Sequence, residues 1–430
     1  GSGYKQLNVN RISFFVSNHS DVNIDGSNLT VYNTTFIEGS MNSSYINPNL
    51  LLNYSINSVK VWLLRSRNVS LPGNLSKEYY RSLLLIKDDQ NPLTGEFVAS
   101  PEPVYFYSWA RDSAFAALSL QSSGHIASAL HYWRFLSNFM VNKTFYTRFN
   151  FWNGAPDESY GIPEYDSIGL FQIGIYDLYN ETGNISIIYP FIGALNSTFL
   201  WESQHINGFD LLPRDLSIWE DNMAYNFWTQ AIDAIGLKLT ADLYKDIGLN
   251  YSLPLELSIE LNRSIQDNFY RDGFFVQSLT KGLEYVNGSN EVVLIANPFV
   301  DSSLLLPLAF GLLPLNSTMV VSSVKTVNST LSDQGFLSRF KDDDYHFSQD
   351  LYDSSGPSPP WIITSLFLGY YYDKIGDYSG AIKLLNLSTI HSNNGILPEA
   401  IDPNSLSPLP TTSPLTWSAA MFVLVSINCR

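Results

Sequence analysis

From residue 76 onward, apolar positions recur at helical spacing in segments of roughly 12–20 residues, separated by loops that hold Gly, Pro, Trp and Asp. The pattern predicts helices over 110–122, 124–141, 165–179, 186–200, 221–245, 254–269, 301–312, 360–375, 377–387 and 415–427. An earlier helix opens at Ser76-Lys77-Glu78 and carries Tyr79, Leu83, Leu84 and Ile86 on one side, with Ser76 as its expected cap. So many helices without strong intervening strands argue against a doubly wound sheet and for a helical array. Ahead of them the period changes. The runs 11–16, 29–37 and 58–64 are short, rich in Val, Phe, Tyr, Thr and Ile, and bounded by Asn, Ser, Gly and Asp clusters, which predicts strands. The chain therefore divides into a small β-rich amino-terminal extension, 1–75, and a mainly α domain, 76–430.

Composition narrows the partners. The 430 residues are long enough to bury a large core, and 45% hydrophobic with 14% aromatic content is that of a globular protein. Forty acidic residues against 24 basic ones leave a net charge of −16, which disfavours nucleic acid and anionic membranes and favours a neutral ligand. No run approaches the roughly 20 apolar residues of a membrane span, and the amino terminus lacks the layout of a signal peptide. The single cysteine, Cys429, leaves no intrachain disulfide and no cysteine metal site. Asn-x-Ser/Thr acceptor sites number 17, well above what the composition alone places, which suggests an exported, surface-glycosylated protein. A cysteine-poor, acidic, sequon-rich chain of this kind would suit an archaeal outer surface.

The candidate chemistry begins at Tyr105-Phe106-Tyr107-Ser108-Trp109-Ala110-Arg111-Asp112-Ser113. Four aromatics run into an Arg-Asp pair at a helix start. Arg111 donates from a rigid fork, Asp112 accepts from a hydroxyl, and the faces of Tyr107 and Trp109 cover the C–H side of a pyranose ring. The same residues also fit a plainer reading, a helix-start ion pair beside core aromatics. Further on, Trp219-Glu220-Asp221 sets a carboxyl next to a large apolar ring; desolvation there raises a carboxyl pKa toward that of a general acid, although acids at a helix start also serve as caps. Competing signatures are absent: there is no Gly-x-Ser-x-Gly, no His-Glu-x-x-His and no phosphate-cradling Gly-Lys-Ser/Thr, and the six histidines show no ligand spacing. No cofactor or metal is expected.

The Tyr107–Leu118 segment resembles the Trp-x-Arg-Asp-Ser segment of the glucoamylase-type inverting glycoside hydrolases, a group of glucoamylases, glucodextranases and some trehalases. Matching segments run from about Tyr79 to about Met421. The loop Trp152–Asp166 is similar to the one that places an aromatic over the bound sugar, with Tyr160 where fungal members carry Trp; Asp157, Glu158 and Glu164 read as solvated loop acids. Trp219-Glu220 resembles the motif whose Glu is the general acid, with Asp221 beside it. Asp301–Pro307 matches a structural segment in which Asp301 caps and the leucines pack. Gly335–Phe340 resembles the Gly-x-x-Arg-Tyr stretch whose Arg contacts sugar, here Arg339; the aspartates Asp342, Asp343 and Asp344 after it read as a solvated turn, since the spacing of a calcium loop is missing. Pro360-Trp361 resembles the start of a barrel helix. Leu397-Pro398-Glu399, followed by Pro414-Leu415-Thr416-Trp417-Ser418, matches the segment whose Glu is the general base; many members carry Gln and His where this chain has Ala400 and Ala419.

The resemblance implies an (α/α)6 barrel with its site on the loops at one end. It implies an exo-acting inverting glycoside hydrolase that releases glucose from the non-reducing ends of α-glucans or α-glucosides, with Glu220 as acid and Glu399 as base. Tyr107, Trp109, Arg111, Asp112, Tyr160, Trp219, Asp221, Arg339, Trp361 and Trp417 would line the substrate. The partner would be an oligosaccharide or polysaccharide. The amino-terminal section could join copies of the chain, and localisation would be extracellular or at the cell surface. A different class of function stays open, a glycosylated surface or assembly protein on a glucoamylase-like scaffold, because a fold does not impose its activity.

Overall fold

The structure, a computed structural model, describes residues 14–15, 22–25, 28–31, 36–37, 48–141, 145–286, 289–343, 358–409 and 412–429. The chain divides into two compact units, Gly1–Ser66 and Arg67–Arg430. In the first, Val22–Asp25 pairs antiparallel with Asn28–Val31, and Phe14–Phe15 pairs with Phe36–Ile37. The run 58–64, expected as a strand, is instead the end of a helix, Pro48–Leu63. Pro48 sits at the helix start where its missing N–H costs nothing, and the leucines after it are good helix formers, so the local alternation of Val59 and Val61 is overridden.

Among the described residues, twelve helices build the barrel of the second unit. They are α1 (Leu75–Asp88), α2 (Ala110–Ser122), α3 (Ile126–Val141), α4 (Asp166–Thr182), α5 (Ile192–His205), α6 (Phe227–Asp246), α7 (Ser252–Phe269), α8 (Leu305–Ala309), α9 (Thr318–Leu331), α10 (Ile362–Lys374), α11 (Tyr378–Ile390) and α12 (Thr416–Asn428). The even-numbered helices form an inner ring: each packs on the next, and α12 returns to α2. The odd-numbered ones lie outside. Burial follows from this. Every residue of α2 from Ala110 to Gln121 is buried, whereas α1 buries a stripe of Leu75, Tyr79, Leu83 and Ile86. Helices α4 and α6 approach backbone to backbone where Gly169 faces Asp233 and Gly236 faces Gly169, with no room for a methyl group at either glycine. The architecture is the (α/α)6 barrel.

Several predicted bounds shift for local reasons. Ser76 does not cap α1: its hydroxyl bonds Leu71, and Asn74 is the residue at the cap position. The helix expected from 221 begins at Phe227, because Tyr225–Asn226 pairs as a strand with Leu279 and Ser278. Segment 301–312 is a tight turn, Ser302–Leu304, running into the short α8. Helix α9 and a long hairpin, Ser278–Val286 with Ser289–Asn297, have no counterpart among the expected elements. Among the described residues no helix is long and apolar enough to cross a membrane.

Four inner helices begin in the same way. The residues before them, Trp109, Asn226, Trp361 and Leu415, are extended and make no side-chain cap. Backbone carbonyls accept the first helical N–H instead: Ala110 N–H donates to Thr147 O (2.9 Å), Phe227 to Gln277 (2.9 Å), Ile362 to Glu399 (3.0 Å) and Thr416 to Ala99 (2.9 Å). Trp109, Trp361 and Leu415 therefore occupy positions where Ser or Asp would otherwise be needed. They gather at one end of the barrel, where the helix dipoles present positive potential.

Candidate active site

The loop that carries Glu220 is closed at its base. Asp215 and Ala224 exchange both backbone hydrogen bonds (3.0 and 3.1 Å), and the buried Asp215 carboxylate accepts from Thr229 Oγ1 (2.7 Å) and Tyr165 N–H (3.2 Å). Within the loop, Ser217 (φ 54°) and Glu220 (φ 59°) adopt left-handed backbone that non-glycine residues visit rarely, and strain of this kind persists only where the surroundings enforce it. Trp219 supplies part of that enforcement. Its Nε1 donates to both oxygens of Asp301 (3.0 Å each), which also accepts from Gln277 Nε2 (2.6 Å) and Ser303 N–H (2.7 Å). Asp301, expected to be a cap alone, thus caps and also fixes the ring next to Glu220.

Glu220 itself meets Trp109 and Arg111. Trp109 Nε1 donates to Glu220 Oε1 at 3.2 Å, and Arg111 Nη2 lies 3.7 Å from the same oxygen. Burial raises the Glu220 carboxyl pKa, against the pull of Arg111, the Trp109 hydrogen bond and Arg148. Arg111 does not turn to its neighbour Asp112; residues adjacent on a helix do not face each other. Its Nη1 is held by Glu164 (2.6 Å) and Asp166 (3.3 Å), while its Nε has no acceptor among the described residues. Glu164, expected as a solvated loop acid, is 2% exposed and pairs with Arg111. Pro163 and the start of α4 turn it inward. Burial pushes its carboxyl up to about 8 against the opposing guanidinium. Asp112 is buried too, which lifts it to about 6, with Arg111 pulling it back.

The aromatic expectations converge on an arginine that belongs to no motif. The Arg148 guanidinium lies 4.1 Å from the centroid of Tyr107, 3.9 Å from that of Tyr160 and 5.0 Å from that of Trp109. Asp157, also expected to be a solvated acid, anchors it at 2.7 Å. Trp109 meets Tyr107 and Tyr160 edge to face at 6.1 and 6.0 Å, so the three rings form one wall. Glu158 is exposed, as expected.

Glu399 is the second carboxyl, close enough for the charge of Glu220 to act on it. Its segment is pinned by Glu399 N–H to Thr412 O (2.9 Å), Ile401 N–H to Pro360 O (3.0 Å) and Leu415 N–H to Leu397 O (3.0 Å). The side chain is 6% exposed, and its Oε2 has no hydrogen-bond donor among the described residues. Burial pushes its carboxyl up to about 8; Arg339 pulls it down, and the charges of Asp112 and Glu220 push it further up. Arg339 is wedged between aromatics, 4.7 Å from the centroid of Trp361, 5.3 Å from Trp219 and 5.0 Å from Phe340. Asp343, expected in a solvated turn, is buried and grips Arg339 Nε and Nη2 at 2.7 and 2.6 Å; Asp342 beside it is exposed, and Asp344 lies outside the described residues. Asp221 is exposed, and its charge reaches Arg339. Trp417 lies under Arg111 (5.7 Å) in a buried stack with Phe115 (4.8 Å) and Phe367 (5.7 Å).

The frame thus joins a half-buried carboxyl, Glu220, a buried one, Glu399, two clamped arginines and an aromatic wall at one end of an (α/α)6 barrel, the fold of the glucoamylases. Among solved structures, a bacterial glucoamylase complexed with acarbose matches with a TM-score of 0.71 at 18% identity, over 89% of this chain and 60% of that one. A glycosidase in complex with glucose matches at 0.68 and 18% identity, over 83% of this chain and 97% of that one. By sequence, an uncharacterised glycosyl hydrolase of Methanocaldococcus jannaschii is 23% identical, over 89% of this chain and 61% of its own length. Trehalase 2 of Sulfolobus acidocaldarius is 22% identical, over 80% and 61%. The chain spans about three-fifths of the length of these curated relatives. No family model matches it.

Proposed function

We propose that this protein is an exo-acting inverting glycoside hydrolase that takes glucose from the non-reducing end of α-glucans or α-glucosides. The observation that carries the reading is the pairing of Glu220, held by Trp109 and Arg111, with Glu399, buried beside Arg339, at one end of the barrel. Glu220 gives its proton to the glycosidic oxygen as the C1–O bond breaks. Water attacks C1 from the opposite face, and Glu399 takes the proton that this water loses. Arg111 and Asp112 hold the terminal sugar, with Tyr107, Trp109 and Tyr160 as the wall it lies against; Trp219, Arg339, Trp361 and Asp221 serve the leaving-group side, and Trp417 supports Arg111 from below. Glucose bound to the similar glycosidase and acarbose bound to the similar glucoamylase are consistent with such a ligand. Release of reducing sugar from maltooligosaccharides tests the reading. Glu220→Gln and Glu399→Gln should each lower turnover at least about 100-fold, the lower range for loss of an acid or base. Near-normal turnover in either variant would remove that residue from its role.

The enzyme acts outside the cell or on its surface, and N-glycans cover part of it. All eleven acceptor asparagines whose side chains are described, from Asn53 to Asn386, are exposed or half-buried, as glycans require. An intact mass of the native protein equal to that of the bare polypeptide would contradict this.

A further inference from the structure

The hairpin of Ser278–Val286 and Ser289–Asn297 runs well beyond its support. Only Ser278 and Leu279 pair with a third strand, at Asn226 and Tyr225; the rest is a two-stranded ribbon. Such ribbons are marginal in water by themselves. This one also sets Glu284 directly opposite Glu291, and like charges across a strand pair repel. It exposes large apolar groups: Leu283 is 70% exposed, Tyr285 76%, Val292 53% and Ile295 50%.

The outer strand has a further property. It is an edge, paired only with Ser278–Val286 among the described residues, and it carries five apolar residues in succession, Val292-Val293-Leu294-Ile295-Ala296. Proteins normally interrupt an exposed edge with lysine, proline or a bulge to prevent strand addition, and none stands within this run. The strand is self-complementary about its centre. Two copies placed antiparallel about Val293 would set Val293 against Val293, Val292 against Leu294, and Asn290 against Ala296. Glu291 would face Ile295, so no like charges would meet across the new ladder.

We propose that this edge pairs antiparallel with the same edge of a second copy of the chain, joining two hairpins into one four-stranded sheet centred on Val293. Apolar pairs Val292–Leu294 line one face of the joint sheet beside Leu283, and the Val293 pair lies on the other. The contact is isologous and closes as a two-fold dimer. It places the joining surface on the barrel unit.

Sedimentation velocity of the full chain at micromolar concentration should give a dimer. Val293→Lys, which sets two ammonium groups face to face on the two-fold axis, should weaken dimerisation at least about 100-fold, as like-charge juxtaposition costs several kcal/mol. Its circular dichroism should stay that of the wild type. Val293→Cys tests the register, because facing residues of an antiparallel pair stand about 5 Å apart at Cα, within disulfide reach, and the native Cys429 is buried. Oxidised Val293→Cys should run as a covalent dimer that reductant splits. A monomeric wild type, an undisturbed dimer of Val293→Lys, or failure of Val293→Cys to cross-link would overturn the proposal, including the case in which another part of the same chain covers the edge.

Discussion

Trp109→Phe separates the two carboxyls by pH. The substitution keeps an aromatic ring in the wall but removes the Nε1–H donor, whose nitrogen lies 3.2 Å from Glu220 Oε1. That bond stabilises the ionised carboxylate, so its loss raises the Glu220 pKa further above its ordinary value. A hydrogen bond to a buried charged group is worth about 1.5–3 kcal/mol. Glu220 is 29% exposed, so water replaces part of the donor, and Arg111 remains at 3.7 Å. A net effect of about 1 kcal/mol is expected, about 0.7 of a pKa unit at about 1.4 kcal/mol per unit. The assay is the pH profile of kcat/KM on a maltooligosaccharide, which reports the free enzyme. One limb of the bell should move up by about that amount and identify itself as belonging to Glu220. The limb of Glu399, whose carboxyl burial pushes up to about 8, should stay near its place. With two interacting carboxyls the limbs of the wild type belong to the pair, so only such a selective shift assigns them. Movement of neither limb, or of both equally, would refute the assignment of the Trp109 bond to the acid.

Arg111→Ala or Asp112→Ala should each cost about 1.5–3 kcal/mol of sugar binding, read as a loss in kcat/KM with the fold intact by circular dichroism; unchanged efficiency would return both residues to a structural role. Stability should fall as pH rises. Burial raises Glu96 and Glu202 to about 8 and Asp215 to about 7, so the native state holds protons that the unfolded chain has lost. The stability this confers is complete below pH about 4 and disappears as pH climbs through 7 to 8, at about 1.4 kcal/mol per pH unit for each such proton. The melting temperature should therefore be higher at pH 5 than at pH 8, and Glu202→Gln should flatten the slope; a melting temperature that rises over that range would contradict the burial argument.

The inner ring was legible because its helices, the short α8 apart, are long, apolar and punctuated by Trp, Pro and Gly, and the Tyr107–Ser113 motif sits where one of them begins. Helix α9 was not, because Val320, Val321, Val324 and Val327 have low helix propensity, which packing overrides. The hairpin carried its signal openly: two strand-like runs are separated by Asn287-Gly288, a pair typical of tight hairpins, although helical periodicity dominates on both sides of it. Within the site, the family resemblance rather than residue type pointed to Glu220 and Glu399, and residue type misplaced Glu164, Asp157 and Asp343. Each is an acid in a loop, a setting that is usually solvated; the fold brings Arg111 to Glu164 from far away in the sequence, and local loop conformation turns Asp157 onto Arg148 and Asp343 onto Arg339. Arg148 left no motif at all. Its role arises from the rings on both sides of it, which come from separate loops.

The proposed reaction is a single displacement by water at C1, assisted by Glu220 on one face and Glu399 on the other. The anomeric proton of the released glucose, followed by NMR in the first minutes of hydrolysis of an α-linked maltooligosaccharide, tests it before mutarotation mixes the anomers. Inversion requires the β-anomer first. An initial α-anomer would mean a covalent glycosyl-enzyme formed by carboxyls about 5 Å apart, and would contradict the assignment of Glu399 as the base.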